Sequence, residues 1–314
     1  MSRLTREAWV DRHAYLRGIA ELSARLDRAV ARLPEETAPL PELDGYQEEL
    51  LAGVPLLQSS SVVIDLEPVG RTVIALVRQL AADAGAAYEN DESHLVYQAM
   101  GDFWGNDPSA VHFISKDRLY SEAAGLAAQL EHDSEAPARI VSWLLGDASW
   151  TPVAPGLLRL LGWTAMRRGL APLAEGFASW RDEERWLRNY CPLCGLGPVM
   201  AQLIGKDPGR KRLLVCGRCA SRWQYKRTRC PYCEHDVERA SILAIEGEGG
   251  LRIDHCESCL GYVKTYDGEG DEALLLADWT SLHVDLLAVG RGFRRLASSL
   301  YELPPDVGPA AKTA

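Results

Sequence analysis

The sequence contains eight cysteines, and every one of them belongs to a pair in which two residues separate the thiols. Two thiolates at this spacing can bend around one metal ion, and two such pairs supply the four sulfurs of a tetrahedral site. Cysteines that serve only in apolar packing would not all fall into pairs of this spacing. The sequence therefore predicts two metal ions. The pairs are Cys191/Cys194, Cys216/Cys219, Cys230/Cys233 and Cys256/Cys259.

An internal repeat indicates how the pairs combine. Residues 191–227 align with residues 230–266, because each copy has a Cys-Pro-x-Cys pair, an apolar run, a turn with glycine and a second pair. We therefore assign Cys191, Cys194, Cys216 and Cys219 to site one, and Cys230, Cys233, Cys256 and Cys259 to site two. Only ten residues, 220–229, separate the two middle pairs, so a site between those pairs is an alternative. We expect His235 and His255 to lie outside the ligand sets.

Four protein ligands leave no position for water or substrate, which is typical of a structural or electron-transfer site. Tetrahedral sulfur suits zinc and iron alike. Only the first pair is followed by the glycine that rubredoxin loops use, Gly195, whereas Ala220, Glu234 and Leu260 occupy this position in the other pairs. The sequence shows no paired catalytic carboxylates, phosphate-binding glycine loop or nucleophile elbow. We predict that the protein is not an enzyme.

A basic run with Trp223 and Tyr225 interleaved lies between the metal-binding pairs. Such a run can bind nucleic acid, but the formal net charge of −10 argues against a general nucleic-acid binder. We interpret the run as a partial balance for the thiolate charge and as a face for an acidic protein partner. Its members are Lys206, Arg210, Lys211, Arg212, Arg218, Arg222, Lys226, Arg227 and Arg229.

Residues 1–188 contain no cysteine and are rich in Ala, Leu, Arg and Glu, which favour helix. Apolar residues at helical spacing predict one amphipathic helix over 5–32. Six tryptophans of this region could line a groove, but we interpret them as core: Trp104, Trp143, Trp150, Trp163, Trp180 and Trp186. Further helices are predicted at about 68–86, 117–131, 136–146, 154–169 and 171–187.

These patterns predict an α+β multidomain protein, with an all-α N-terminal domain, two tandem rubredoxin-like or zinc-ribbon β units and a C-terminal helix. In the last segment Asp278 or Thr280 is the predicted N-cap. No uncharged stretch reaches the roughly 18 residues of a spanning helix, so we predict a cytoplasmic protein without membrane insertion. The predicted ranges are 1–188 for the helical domain, 189–228 and 229–267 for the metal units, 268–302 for the C-terminal helical segment and 303–314 for a flexible tail.

Several segments together resemble one known family. They are CPLCGLGPV, the CGRC pair followed by Trp223, RCPYCE, the stretch from Cys256 to Lys264, and ADWTSLHVDLLAVGRGF at 277–293. From about 189 to 300 the sequence is similar to the formate dehydrogenase accessory protein FdhE family, and over 1–188 the similarity is one of length and helical character.

This resemblance implies an accessory protein required for maturation of active respiratory formate dehydrogenase, which binds the catalytic subunit in the cytoplasm. It also implies iron in rubredoxin-like sites held by the eight cysteines, with zinc as the alternative metal, and it leaves a homodimer open. Two other classes remain: a zinc-ribbon protein that binds nucleic acid, and a rubredoxin-like electron-transfer protein.

Overall fold

The structure, a computed structural model, describes residues 3–34, 37–83, 116–206, 208–236 and 241–300. Helices fill the first part, and their positions confirm the predicted helices after residue 60 to within a few residues, except at the end of the last one. The predictions for Trp104, for residues 84–86 and for the tail 303–314 concern residues outside the described ones. The helices are α1 (Arg6–Arg12), α2 (Arg17–Arg32), α3 (Gln47–Ala52), α4 (Glu67–Asp83), α5 (Lys116–Leu130), α6 (Ala136–Leu145), α7 (Pro155–Gly169) and α8 (Ala171–Trp180).

The single helix predicted over 5–32 is wrong, because the chain turns between α1 and α2. His13 leaves the helical conformation, with φ −125° and ψ 62°, and a 3₁₀ turn at Ala14–Leu16 follows it. The apolar pattern runs on across the break, since Trp9 and Leu16 are both fully buried. Periodicity alone therefore gives no sign of the turn.

The helical core is centred on α4, which packs against α5, α6 and α7. Two glycines permit close approach: a Cβ on Gly70 would lie 2.6 Å from Cα of Pro137, and one on Gly162 would lie 2.6 Å from Cδ1 of Leu144. The tryptophans belong to this core, which confirms their interpretation for the described residues. Trp163 and Trp186 are buried, and Trp143, Trp150 and Trp180 pack partly buried against them and their neighbours.

One mixed sheet follows the helices and contains both copies of the repeat. Its strands are β1 (Pro198–Ile204), β2 (Lys211–Cys216), β3 (Arg222–Tyr225), β4 (Ser241–Ala244), β5 (Leu251–His255), β6 (Gly261–Asp267) and β7 (Arg294–Arg295). The order is β3-β2-β1-β6-β5-β4, with β7 paired to β6. Each copy is an antiparallel three-stranded unit, which confirms the predicted tandem β units.

The two units are joined by a parallel pairing that the sequence did not indicate. Met200 to Leu203 of β1 lie opposite Lys264 to Asp267 of β6. Thus the first strand of copy one pairs with the last strand of copy two. The two predicted metal sites are therefore parts of one continuous sheet with a fixed relative position.

The free edge of β3 is covered by the segment that follows α8. Helix α8 ends at Trp180 rather than at the predicted residue 187. Arg181 takes an extended conformation, and its guanidinium donates hydrogen bonds to the carbonyl oxygen of Arg222 and to Glu183. The Glu183 carboxylate accepts the backbone N–H of Gln224 at 3.1 Å. The edge groups of β3 thus find partners within the chain.

The C-terminal segment contains α9 (Glu272–Leu275), a 3₁₀ turn at Asp278–Ser281, and α10 (Leu282–Gly290). The predicted N-cap was wrong: Ser281 precedes α10, and no side chain caps it. Asp278 is instead paired with buried Lys264, and the Thr280 hydroxyl donates to the carbonyl oxygen of Ala277 at 2.7 Å. Among the described residues, no helix combines the length and apolar character needed to cross a membrane.

Candidate metal centres

All four cysteine pairs share one backbone conformation. In each, the N–H of the first cysteine donates to the carbonyl oxygen five residues on, at 2.8 to 3.0 Å. The residue after the second cysteine has a left-handed φ in every pair: 78° at Gly195, 59° at Ala220, 59° at Glu234 and 58° at Leu260. Three of these residues are not glycine, so the backbone is strained at these positions. The strained conformation allows both thiols of a pair to face one point.

The first cluster brings together the thiols of Cys191, Cys194, Cys216 and Cys219, with all four residues buried. The Sγ atoms of Cys191 and Cys219 are 3.5 Å apart, those of Cys194 and Cys216 are 3.4 Å apart, and those of Cys194 and Cys219 are 3.7 Å apart. A tetrahedron with metal–sulfur bonds of about 2.3 Å has sulfurs about 3.8 Å apart. The cluster is therefore close to the size of a tetrathiolate site.

Burial makes the first cluster dependent on a cation. Removal from water raises the pKa of the Cys191 and Cys216 thiols well above the ordinary value. Four thiolates at such distances without a counter-charge would repel one another strongly, whereas a bound divalent ion offsets most of their charge. The donor set and its burial thus fit a metal ion.

Helical elements enclose the first cluster. The N–H groups of Leu56 and Leu57 donate to the carbonyl oxygens of Pro192 and Leu193, both at 2.9 Å. From α7, Arg167 donates to the carbonyl oxygen of Gly217. These bonds fix both cysteine loops of the first cluster against the N-terminal part of the chain.

The second cluster has the same composition but reaches the surface. Its Sγ atoms are 3.8 Å apart for Cys230 and Cys259, and 3.8 Å apart for Cys233 and Cys256. Cys233 is exposed and Cys259 is half-buried. Burial raises the pKa of Cys230 and Cys259. At Cys233 burial is the largest single cause and raises the pKa, but a hydrogen bond from the His235 backbone and the neighbouring thiols together outweigh it, so the pKa is lowered.

The structure brings together the two sets of cysteines that the repeat predicts. The alternative site between the middle pairs is absent from the described chain, since Cys219 lies beside Cys194 and not beside Cys230. His235 is exposed, and His255 stacks on Phe293 with ring centroids 4.0 Å apart. Two metal ions could be bound, one by each cluster, and the role of the cysteines as ligands stays a prediction.

The aromatic residues of the basic run are not available to nucleic acid. Trp223 and Tyr225 are buried in the core, so neither ring is available to stack on a base. Arg212 is also buried and donates to the carbonyl oxygens of Lys226 and Arg229. Arg222 donates to Gln202 at 2.9 Å. These cations therefore support the sheet.

Sequence reasoning missed a buried network of charges beside the joint of the two units. Nζ of Lys264 lies 2.7 Å from Asp278 and 2.8 Å from Asp285, and Arg295 pairs with both carboxylates. Burial alone would raise the pKa of Asp278, but Arg295 and Lys264 hold it well below its ordinary value. The one available signal was a lysine inside the apolar strand GYVKTY.

Comparison with known proteins identifies curated relatives that are FdhE homologues. The homologue from Aquifex aeolicus is 33% identical over 116 residues, which are 36% of this chain and 41% of that protein. That from Stutzerimonas stutzeri is 36% identical over 131 residues, 38% of this chain and 41% of that protein. A homologue from a Shewanella species is 26% identical over 259 residues, 76% of this chain and 82% of that protein. The chain is therefore similar to FdhE homologues.

The FdhE resemblance of the sequence is thus confirmed, although the chain spans only about two fifths of the length of the first two FdhE homologues. No protein-family model matches the chain. The crystal structure of the FdhE protein from Pseudomonas aeruginosa aligns with 96% of this chain and 98% of that chain, at 21% identity and a TM-score of 0.48.

Proposed function

We propose that this protein is a member of the FdhE family and a non-catalytic accessory protein that binds the catalytic subunit of respiratory formate dehydrogenase in the cytoplasm and is required for its maturation. The pair of four-cysteine clusters, held in one sheet of a chain similar to FdhE homologues, is the observation that carries the proposal. Clusters of four protein ligands have no open position for a substrate. Binding of a client protein is the activity that such a scaffold supports.

Each cluster, in this proposal, holds one metal ion through its four cysteines. Iron is the proposed metal because the FdhE resemblance implies it, and zinc is the alternative. Iron would supply a one-electron couple, whereas zinc would supply only a fixed geometry. The cysteines orient the loops in either case, and the first cluster fixes the sheet against the helices that enclose it.

The test is binding of purified, immature catalytic subunit to the purified protein, without oxygen, with metal content measured in the same samples. We expect wild type to bind with two metal ions per chain, and Cys191→Ser and Cys256→Ser to lose metal and bind less. His235→Gln, an exposed histidine beside the second cluster, is the matched control and should bind as wild type does. Absence of binding by the metal-loaded wild type would overturn the proposal, as would salt-dependent binding of RNA or DNA in its place.

Electron transfer is the second candidate function, and the exposure of Cys233 favours it. A metal close to the surface can exchange electrons with a docked partner, whereas the first cluster is enclosed. In iron-loaded protein this candidate requires a reversible couple that Cys256→Ser removes and Cys191→Ser leaves. A protein that holds two zinc ions and no iron would exclude it.

A further inference from the structure

Three side chains from distant parts of the chain meet outside the cysteine clusters. His13 follows α1, Glu248 lies in the turn between β4 and β5, and His283 lies in the first turn of α10. Nε2 of His13 is 2.9 Å and Nε2 of His283 is 2.8 Å from the same Oε2 of Glu248. The side chains of the histidines are only 7% and 8% exposed. Two imidazoles and a carboxylate thus converge on one point.

The hydrogen bonding of His13 leaves an unsatisfied requirement at this point. Its Nδ1 lies 3.0 Å from the carbonyl oxygen of Trp9, and because a carbonyl only accepts, Nδ1 carries the proton. A neutral His13 therefore directs the lone pair of Nε2 at the Glu248 carboxylate. Two acceptors 2.9 Å apart repel each other unless a cation lies between them, either a proton on Nε2 or a metal ion.

His283 makes a proton on Nε2 of His13 less favourable than a metal ion. Its ring stacks on that of His13 with centroids 5.0 Å apart. A charged His13 would therefore face a second imidazole at close range. Nδ1 of His283 is buried and has no hydrogen-bond partner in the described part of the chain. Internal hydrogen bonds do not complete this cluster.

We propose that His13, His283 and Glu248 bind a divalent transition-metal ion, at a third site that is distinct from the cysteine clusters. Imidazole and carboxylate ligands suit zinc and its neighbours, with bonds of about 2.0–2.1 Å. A tetrahedral ion with such bonds holds its ligand atoms about 3.3 Å apart. The two nitrogen–oxygen distances, 2.9 and 2.8 Å, are within about 0.5 Å of this spacing, so small side-chain shifts would admit the ion. A metal-ligating histidine usually donates its other ring N–H to an oxygen atom, which fixes the orientation of the ring. The hydrogen bond from His13 to the carbonyl oxygen of Trp9 has this role.

The proposed ion would tie the N-terminal helix to the second metal unit and to α10. The chain already makes one contact of this kind nearby, since Nε1 of Trp9 donates to the carbonyl oxygen of Thr280 at 3.0 Å. His13 and Glu248 are 235 residues apart in sequence, so an ion that joins them closes most of the chain into one loop. With three protein ligands, the site also leaves a position for water or a further ligand. The site does not depend on the proposed client.

Zinc titration of untagged protein tests the site. The cysteine clusters are first filled with zinc, free metal is removed, and zinc is titrated calorimetrically at about pH 7.5. We expect wild type to bind one further equivalent, with affinity reduced at least ~100-fold in His283→Gln and in Glu248→Gln, because each removes a ligand. His255→Gln is the control, since His255 is half-buried on the same sheet but outside the cluster. Binding should weaken towards about pH 5.5 as protons compete for the imidazoles.

Two results would overturn the proposal. One is wild type that takes up no zinc beyond the cysteine clusters at millimolar concentration, which would leave an imidazolium–carboxylate pair at this position. The other is His283→Gln or Glu248→Gln protein that binds the extra equivalent as tightly as wild type. Near-ultraviolet circular dichroism and the zinc content of the cysteine clusters verify that each variant is folded, and Glu248→Gln, in a surface turn, provides the test if His283→Gln does not fold.

Discussion

Replacement of Lys264 by methionine should destabilise the protein strongly, although it alters a single side chain of a strand. Lys264 is 1% exposed, and its ammonium group lies between Asp278 and Asp285. Methionine keeps the apolar stem and removes the charge. The two buried carboxylates would then share Arg295 as their remaining cation in the network.

The expected loss follows from the desolvation of these carboxylates. Removal of one partner from a buried ion pair costs about 3–5 kcal/mol. Because Arg295 still contacts both carboxylates, we expect the lower end, about 3 kcal/mol in the free energy of unfolding. A loss of this size corresponds to a decrease in Tm of roughly 4–5 °C for a chain of this length.

The loss should also depend on pH. Since the folded pKa of Asp278 is held below its ordinary value, the paired carboxylate contributes stability above the unfolded pKa of about 4, and this is lost as the pH falls towards the folded pKa. Lys264→Met should therefore differ most from wild type at about pH 7 and least below about pH 4.

Urea unfolding followed by tryptophan fluorescence, at equal metal content, measures this difference. Lys226→Met is the control, because Lys226 is exposed, and it should change the stability by less than about 0.5 kcal/mol. A loss below about 1 kcal/mol for Lys264→Met at about pH 7 would refute the reasoning, and so would an equal loss at about pH 3 and about pH 7.

Three further predictions concern the clusters and the helical core. A chelator should remove metal from the second cluster before the first, and Cys233 should be the first cysteine to be alkylated because it is exposed. Peptide mass spectrometry over time measures the order of alkylation. Equal labelling rates for all eight cysteines would contradict the prediction. Gly162→Ala should destabilise the protein by about 1–3 kcal/mol, because the added methyl group overlaps Leu144. Gly156→Ala in the same helix meets no neighbour and should stabilise the protein by about 0.5–1 kcal/mol. Urea unfolding measures both changes. Glu234→Gly should stabilise the metal-loaded protein by about 0.5–1 kcal/mol, because φ is 59° there, and a lower urea midpoint would refute it.

The features that sequence predicted correctly depend on short stretches of chain. Two thiols three positions apart can face one point whatever the rest of the fold does, so the approach of Cys191 and Cys194 was predictable from a short stretch of sequence. The repeat then supplied the partners of each pair. Helices such as α7 were predictable because their apolar residues recur at the helical period.

The features that were missed depend on contacts between distant residues. The counter-charges of Lys264 lie in a distant segment, and one of them, Asp278, was predicted to cap a helix. His13 sits in an unbroken apolar pattern, but its ring contacts Glu248 far along the chain. The pairing of β1 with β6 could not be predicted either, because both strands are almost fully buried and neither sequence indicates which strand lies beside it.

The order of the strands has a consequence for association between molecules. In the middle of the sheet β1, the first strand of one copy, pairs with β6, the last strand of the other. The two outer edges are likewise a first strand, β4, and a last strand, β3. A head-to-tail contact of this kind does not close on itself, and it can extend into a fibre. Glu183 and Arg181 occupy the hydrogen-bonding groups of Gln224 and Arg222 on β3. A second copy would have to displace these two side chains before its β4 could pair with β3.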